Sequence, residues 1–265
     1  MKKVHNILVS QPQPSTEHNP YAEMEKLFGV HFEFRQMIRI EGLTAKEFRK
    51  QHIHPLDYTA VIMNSRMAID QYFRICSEMR LAIPDTMHYY CISESVANYL
   101  QKYIQYRKRK VFYAEHNNLE ELTGAMNRRP DERYIMVLSD VHNDDAIRMF
   151  ASHRVEVKPA VMYRTVPVEW PKDKPFDHDM VVLFTPSGVT SLRRNFPSLR
   201  QGDKVIAVFG QSTAAALREA GFVPDIEAPA PGVPGITMAI RQYLERQEAD
   251  EQAERQEPQN EPATA

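Results

Sequence analysis

The stretch VIAVFGQSTAAALREAGFVPD, Val205 to Asp225, decides the reading of the fold. Its first five residues are apolar, as in a strand buried on both faces. Gly-Gln-Ser-Thr follows as a tight turn, then an Ala-rich helical run, and Gly221 as its stop. Such a turn sets a helix N-terminus and its free amides at the end of a strand, where an anion can sit. It has neither the Lys-Ser/Thr pair of a phosphate-binding loop nor the Gly-x-Gly-x-x-Gly of a dinucleotide fold. A nucleotide is therefore not the expected ligand.

The same scheme recurs outward from this stretch. Tyr58–Met63 is a strand, Asn64-Ser65 a capping turn, and a helix follows. MHYYCISESVANYLQKY, KVFYAEHNNLEELTGAM, RYIMVLSDVHNDDAIRMFASH and HDMVVLFTPSGVTSLRRNF repeat strand, polar turn and helix. Val4–Ser10 reads as an inner strand, and a helix runs from Pro20 to its stop at Gly29. VHFEFRQMIRIEG and VEVKPAVMYRTVPVEW alternate apolar and polar residues and read as long extended segments. Strands separated by helices of this length predict an α/β fold with parallel sheets.

Two echoes divide the chain. YTAVIMNSRMAI (58–69) aligns with HDMVVLFTPSGV (178–189), and YYCISESVANYL (89–100) with IAVFGQSTAAAL (206–217). Two units recurring in one order predict two similar α/β domains. The alternating segments fall between the halves, so the second domain is expected to be inserted in the first. Residues 1–35 and 168–245 form the first domain, 42–160 the second, and 36–41 and 161–167 the two connecting strands. These connectors read as a hinge over a cleft. The polar tail, 246–265, lacks large apolar groups and is expected to be disordered.

Composition narrows the function. At 265 residues, 43% hydrophobic, the chain can build real cores. A net charge of −2 gives no support for nucleic-acid binding. RKRK (107–110) reads as a solvated helix end. No run is long enough to span a membrane, and the N-terminus is too short for a signal-peptide core. Cys76 and Cys91 sit in apolar contexts and read as buried thiols of a reducing, cytoplasmic compartment. His52 and His54 lack a third ligand at a recognisable spacing, so no metal is expected. No exposed apolar stripe calls for a partner, and a monomer is the default.

The ordered set DYTAVIMNSRMAI, NNLEEL (117–122), VEVKPAVMYRTVP, VVLFTPSGV and VIAVFGQSTAAALREAGFVPDIEAPAPGVPGITMAI resembles the uroporphyrinogen-III synthase family over about residues 4–244. The resemblance implies a cofactor-free cyclising hydro-lyase of porphyrin and haem biosynthesis. It would close hydroxymethylbilane to uroporphyrinogen III with inversion of ring D and loss of water. Its one small-molecule partner would be the tetrapyrrole substrate, delivered by a transient encounter with hydroxymethylbilane synthase. The inserted half departs from the family pattern. Ser93-Glu94-Ser95-Val96 replaces a Gly-rich turn, and Ser139-Asp140 stands where a Gly is usual. Glu94 and Asp140 are expected to point away from an anionic substrate.

The implied substrate carries many carboxylates, and helix-end amides supply donors without a strongly basic protein. On that basis Gly210, Gln211, Ser212 and Thr213 form one expected cradle, and Thr185, Pro186, Ser187 and Gly188 a second. Ser65, Arg66 and Ser95 are the counterparts in the other domain. Ser212 and Thr213 could equally serve only as helix caps. Tyr163 matches the family's tyrosine and is the candidate general acid, although packing alone would also explain a tyrosine there. Arg35, Arg39 and Arg164 are candidate partners for substrate carboxylates, or else solvated strand faces. A non-catalytic two-domain binder of a small anion fits the same hinge and helix ends.

Overall fold

The computed structural model describes residues 2–14 and 19–256. The chain runs β1 (Asn6–Val9), α1 (Pro20–Phe28), β2 (His31–Phe34), β3 (Ile38–Gly42), α2 (Ala45–Arg49), β4 (Ala60–Met63), α3 (Arg66–Glu78) and β5 (His88–Cys91). It continues α4 (Glu94–Tyr99), β6 (Val111–Tyr113), α5 (Thr123–Met126), β7 (Tyr134–Ser139), α6 (Asp145–Ser152) and β8 (Val157–Pro167). Last come β9 (Met180–Leu183), α7 (Pro186–Asn195), β10 (Val205–Phe209), α8 (Gln211–Glu219), β11 (Ile226–Ala228) and α9 (Ile236–Gln256). Two compact units result: 1–39 with 166–265, and 40–165. The boundaries fall inside β3 and β8.

The first unit holds a five-stranded sheet in the order β11-β10-β9-β1-β2, with every pairing parallel. Side chains alternate across it, as strand geometry requires. Ile7, Val9, Met180, Val182, Val205 and Ala207 face α1 and α9. Leu8, Val181, Leu183, Ile206 and Val208 face α7 and α8. Both faces are covered, which is why these strands read as continuous apolar runs.

The second unit holds a six-stranded sheet in the order β3-β8-β7-β4-β5-β6. Val61, Met63, Tyr89, Cys91, Ile135 and Val137 pack against α3 and α4. Ala60, Ile62, Tyr90, Tyr134, Met136 and Leu138 pack on the opposite face with Leu122, Met126 and Phe150. Cys76 and Cys91 are free and buried, and burial pushes both thiols up to about 12.

Three expectations are corrected. The extended segment 30–42 is broken at 35–37 into β2 and β3, which join different sheets. Met37 at the break is buried, and its carbonyl accepts from Ser191 Oγ at 2.6 Å and Val168 N at 2.8 Å. The backbone there is thus satisfied without a strand partner. RKRK does not end a helix; it lies before and within the turn leading into β6. The tail is helical as far as Gln256, because its Glu, Gln, Ala and Arg residues are strong helix formers continuing a helix already started on the core. Residues 257–265 of the expected disordered tail lie outside the described residues.

Candidate active site

In parallel α/β sheets the strands deliver their C-terminal ends to turns, and chemistry collects there. In the second unit β4 ends at Asn64 and Ser65. Ser65 is extended (φ −163°, ψ 161°), and its hydroxyl accepts from Ala68 N at 3.1 Å, capping α3. Asn64 Oδ1 is buried without a hydrogen-bond partner. Arg66 opens the helix and lies over the Tyr99 ring, 5.5 Å from its centroid. Ser93 caps α4 through Val96 N, and Ser95 Oγ is 3.1 Å from Ser93 Oγ. Glu94 is exposed beside them.

Tyr163 lies on β8 in the same unit, with Ser65 as a neighbour. It is 8% exposed and belongs to the apolar cluster under α3. Burial raises its phenol above the ordinary value, and a hydrogen bond with the Ser65 side chain opposes part of that rise. The phenol therefore keeps its proton through the neutral range. Ser65, Arg66 and Tyr163 are thus brought to one edge of the sheet.

Arg164, next along β8, is turned to protein carboxylates. Its Nη1 is 2.8 Å from Glu47 Oε1, and its Nη2 is 3.0 Å from Glu41 Oε1. A guanidinium engaged by two acids is not offered to a ligand, so the structure revises its expected role. Glu47 is held down to about 2, first by the Thr44 backbone amide, then by the Thr44 hydroxyl and Arg164.

In the first unit the turns after β9 and β10 are neighbours. Thr185 caps α7, accepting from Gly188 N at 3.1 Å, with Pro186 and Ser187 half-buried in the first turn. A Cβ on Gly188 would meet Thr185 Oγ1 at 3.5 Å and Ser10 Oγ at 4.0 Å, ordinary contacts. Ser10, at the end of β1, joins this turn unannounced by any motif; only its place after an apolar run could have drawn attention to it. Gly210 takes φ 89° and ψ 144°, a conformation that L side chains avoid, and no side chain caps α8. Gln211 and Ser212 are exposed, but Thr213 is 1% exposed. Its expected role as a hydroxyl donor is corrected: it packs inward beneath the turn. Ser212 is not the cap either. Phe209, 37% exposed, stands 6.4 Å from Phe184 at the same strand ends.

Arg35 is committed locally, its Nε 3.2 Å from Glu33 Oε1 and its guanidinium 4.4 Å from the Trp170 ring centroid. Arg39 is exposed on β3. A cavity of about 800 Å³ opens in the second unit beside the loop after α3, at the N-terminal ends of β5 and β6. Asp70, Glu78 and Asp85 line it together with Arg74 and Lys110, a mixed lining, and it lies away from the strand ends described above.

Two α/β units, each presenting polar helix-start turns at its strand ends, define a two-unit α/β protein whose first unit is discontinuous in the chain. The family model for uroporphyrinogen-III synthase HemD matches residues 24–237, and the chain belongs to that family. Its activity is that of a cyclising lyase of tetrapyrrole biosynthesis, which selects the enzyme over the non-catalytic binder. The fold is similar to that of a uroporphyrinogen-III synthetase from Helicobacter pylori 26695, at TM-score 0.56 and 15% identity, covering 91% of this chain and 99% of that one. A mutant uroporphyrinogen III synthase from the extremely thermophilic bacterium Thermus thermophilus aligns at TM-score 0.48 and 14% identity over 91% of this chain and 99% of that one. No curated protein sequence matches. Among the described residues no helix is long and apolar enough to cross a membrane.

Proposed function

We propose that the chain closes hydroxymethylbilane to uroporphyrinogen III with Tyr163 as its acid. The observation that supports this most directly is the Tyr163 side chain on β8, buried in the cluster under α3, where burial raises its phenol. In this reading Tyr163 hydrogen-bonds to the leaving hydroxyl. The C–O bond breaks, the oxygen departs as water with the added proton, and the pyrrole keeps the positive charge as an azafulvenium. The substituted carbon of ring D attacks that cation to give a spiro intermediate. Fragmentation and re-closure invert ring D, and a final proton loss restores the aromatic pyrrole. The phenol is a weak acid, so proximity supplies most of the acceleration and the acid a smaller share.

The Gly210 turn and the Thr185 turn take substrate carboxylates on backbone amides, with Ser212 and Ser187 adding hydroxyls. Ser65, Arg66 and Ser95 do the same in the second unit. Asn64 Oδ1, the orphaned acceptor beside Ser65, suits a pyrrole N–H. Arg39 is retained as a carboxylate partner. We place the protein in the cytoplasm as a monomer that meets hydroxymethylbilane synthase transiently.

The test is a coupled assay. Hydroxymethylbilane is generated in situ, the protein is added, and the oxidised products are separated by isomer. Isomer III above the spontaneous isomer I is expected. Tyr163→Phe should lower kcat by roughly tenfold to a hundredfold, at or below the usual range for a general acid, without abolishing turnover. Isomer I alone from folded protein overturns the reading.

A further inference from the structure

Tyr163 reaches its place through an irregularity in β8. Pairing between β7 and β8 runs Tyr134↔Val157 to Leu138↔Val161, then jumps to Ser139↔Tyr163. Met162 is the extra residue. In a regular strand alternate residues share a face. Ala160 and Met162 do, and both pack in the cluster under α3, but Tyr163 packs in that cluster as well. The bulge has turned Tyr163 onto the face that carries Ser65. Without it Tyr163 would point to the opposite side, as bulges beside active sites commonly re-aim a side chain.

Something must close the ladder after the extra residue, and Asp140 does so twice. Its backbone N–H donates to Tyr163 O at 2.9 Å. Its Oδ1 accepts from Thr165 N at 3.0 Å, so one residue grips β8 on both sides of Arg164. The same oxygen accepts from Val141 N at 2.8 Å and from Ser139 Oγ at 3.0 Å, which fixes the carboxylate. We infer that Asp140 is a positioning residue whose carboxylate holds the β8 bulge in register and thereby aims the Tyr163 hydroxyl at Ser65. The inference rests on the reading of Tyr163 as the acid only for its kinetic consequence. It also accounts for an acid at the edge of a site built for anions: the charge is spent on backbone amides.

The required property is an acceptor oxygen, not a charge. Asp140→Asn keeps the oxygen, and Asp140→Ala removes it. Four proteins and the Asn variant are compared: wild type, Asp140→Ala, Tyr163→Phe and the double variant. Coupling between contacting residues predicts that Asp140→Ala lowers kcat by about three- to tenfold in the Tyr163 background, with KM within about twofold. In the Tyr163→Phe background the same change should cost less than about twofold, and Asp140→Asn should stay within about twofold of wild type.

An equal kcat loss in both backgrounds, or an Asn variant as poor as the Ala variant, overturns the inference. A second readout does not depend on catalysis. In protein carrying ¹³C-labelled tyrosine, the Tyr163 signal is assigned by its loss in Tyr163→Phe. Asp140→Ala should move that signal, while Asp140→Asn leaves it in place. An unmoved signal in Asp140→Ala overturns the inference. If Tyr163→Phe is fully active but the signal moves, the acid role fails and the positioning stands.

Discussion

The two units share one spatial layout entered by the chain at different strands. Leaving out β3, the sheets read β11-β10-β9-β1-β2 and β6-β5-β4-β7-β8. The first unit begins at β1 and β2 and returns later for β9, β10 and β11. The second lays down β4, β5 and β6 first and adds β7 and β8 afterwards. In both, two successive helices cover one face: α7 and α8 in the first, α3 and α4 in the second. The units differ most where β10 and β5 turn into their helices. Gly210 makes that turn with a left-handed φ and no cap, whereas Ser93 makes it with extended backbone and a hydroxyl cap. A capped helix has spent a backbone amide on its own side chain, while the uncapped one leaves its amides to water or ligand. One arrangement of strands therefore supports a closed turn in one unit and an open turn in the other.

That contrast can be broken at several levels. Ile62 is fully buried in the second unit, and Ile62→Ala should cost about 2–5 kcal/mol, read by denaturant unfolding with a probe in each unit. A transition that shifts equally at both probes would show that the units unfold as one. Gly210→Ala should cost about 1–3 kcal/mol from backbone strain alone, since nothing closer than Thr213 Oγ1 at 4.0 Å meets the new methyl. Ser93→Ala should cost about 0.5–2 kcal/mol for the lost cap. If Ser93→Gly proves as harmful as Gly210→Ala, the distinction between the two turns is wrong.

The smallest effect concerns β3, the edge strand that only the second unit has. Glu47 is held near 2 chiefly by Thr44, with Arg164 adding to it. A depressed carboxylate stabilises the fold above its ordinary pKa, and that contribution is lost as pH falls toward about 2. Thr44→Ala removes the hydroxyl but keeps the backbone amide, the larger influence, so it and Arg164→Met should each raise the Glu47 pKa only part of the way to its ordinary value, measured by side-chain carboxyl NMR. A Glu47 that titrates normally in Arg164→Met would make the ion pair the principal anchor of this edge.

The legible part of the fold follows from the permutation. The echoes 58–69 with 178–189 and 89–100 with 206–217 correspond to β4-α3 with β9-α7 and β5-α4 with β10-α8, which keep chain order. The match of β1-β2 to β7-β8 runs the other way along the chain, so no constant offset reveals it. Polar turns after apolar runs located Ser65, Thr185 and Gly210, because caps and left-handed turns are local chemistry. Thr213 misled because helical phase, not residue type, decides which hydroxyl points inward. Arg164 misled because its partners Glu41 and Glu47 lie far off in sequence and meet it only on the sheet edge. The bulge at Met162 leaves no mark in the sequence: VKPAVMYRTVP alternates acceptably in either register.

The chain's only two cysteines, Cys76 and Cys91, both lie in the second unit. With each thiol buried and pushed up to about 12, a maleimide or disulfide reagent finds no thiolate in the native fold. Labelling must then wait for the second unit to open, and its rate under native conditions clocks that opening alone. The first unit stays chemically silent, so the unmutated protein already carries a one-sided stopwatch. A cysteine placed on the first unit's surface would take a dye selectively, without prior removal of the native pair.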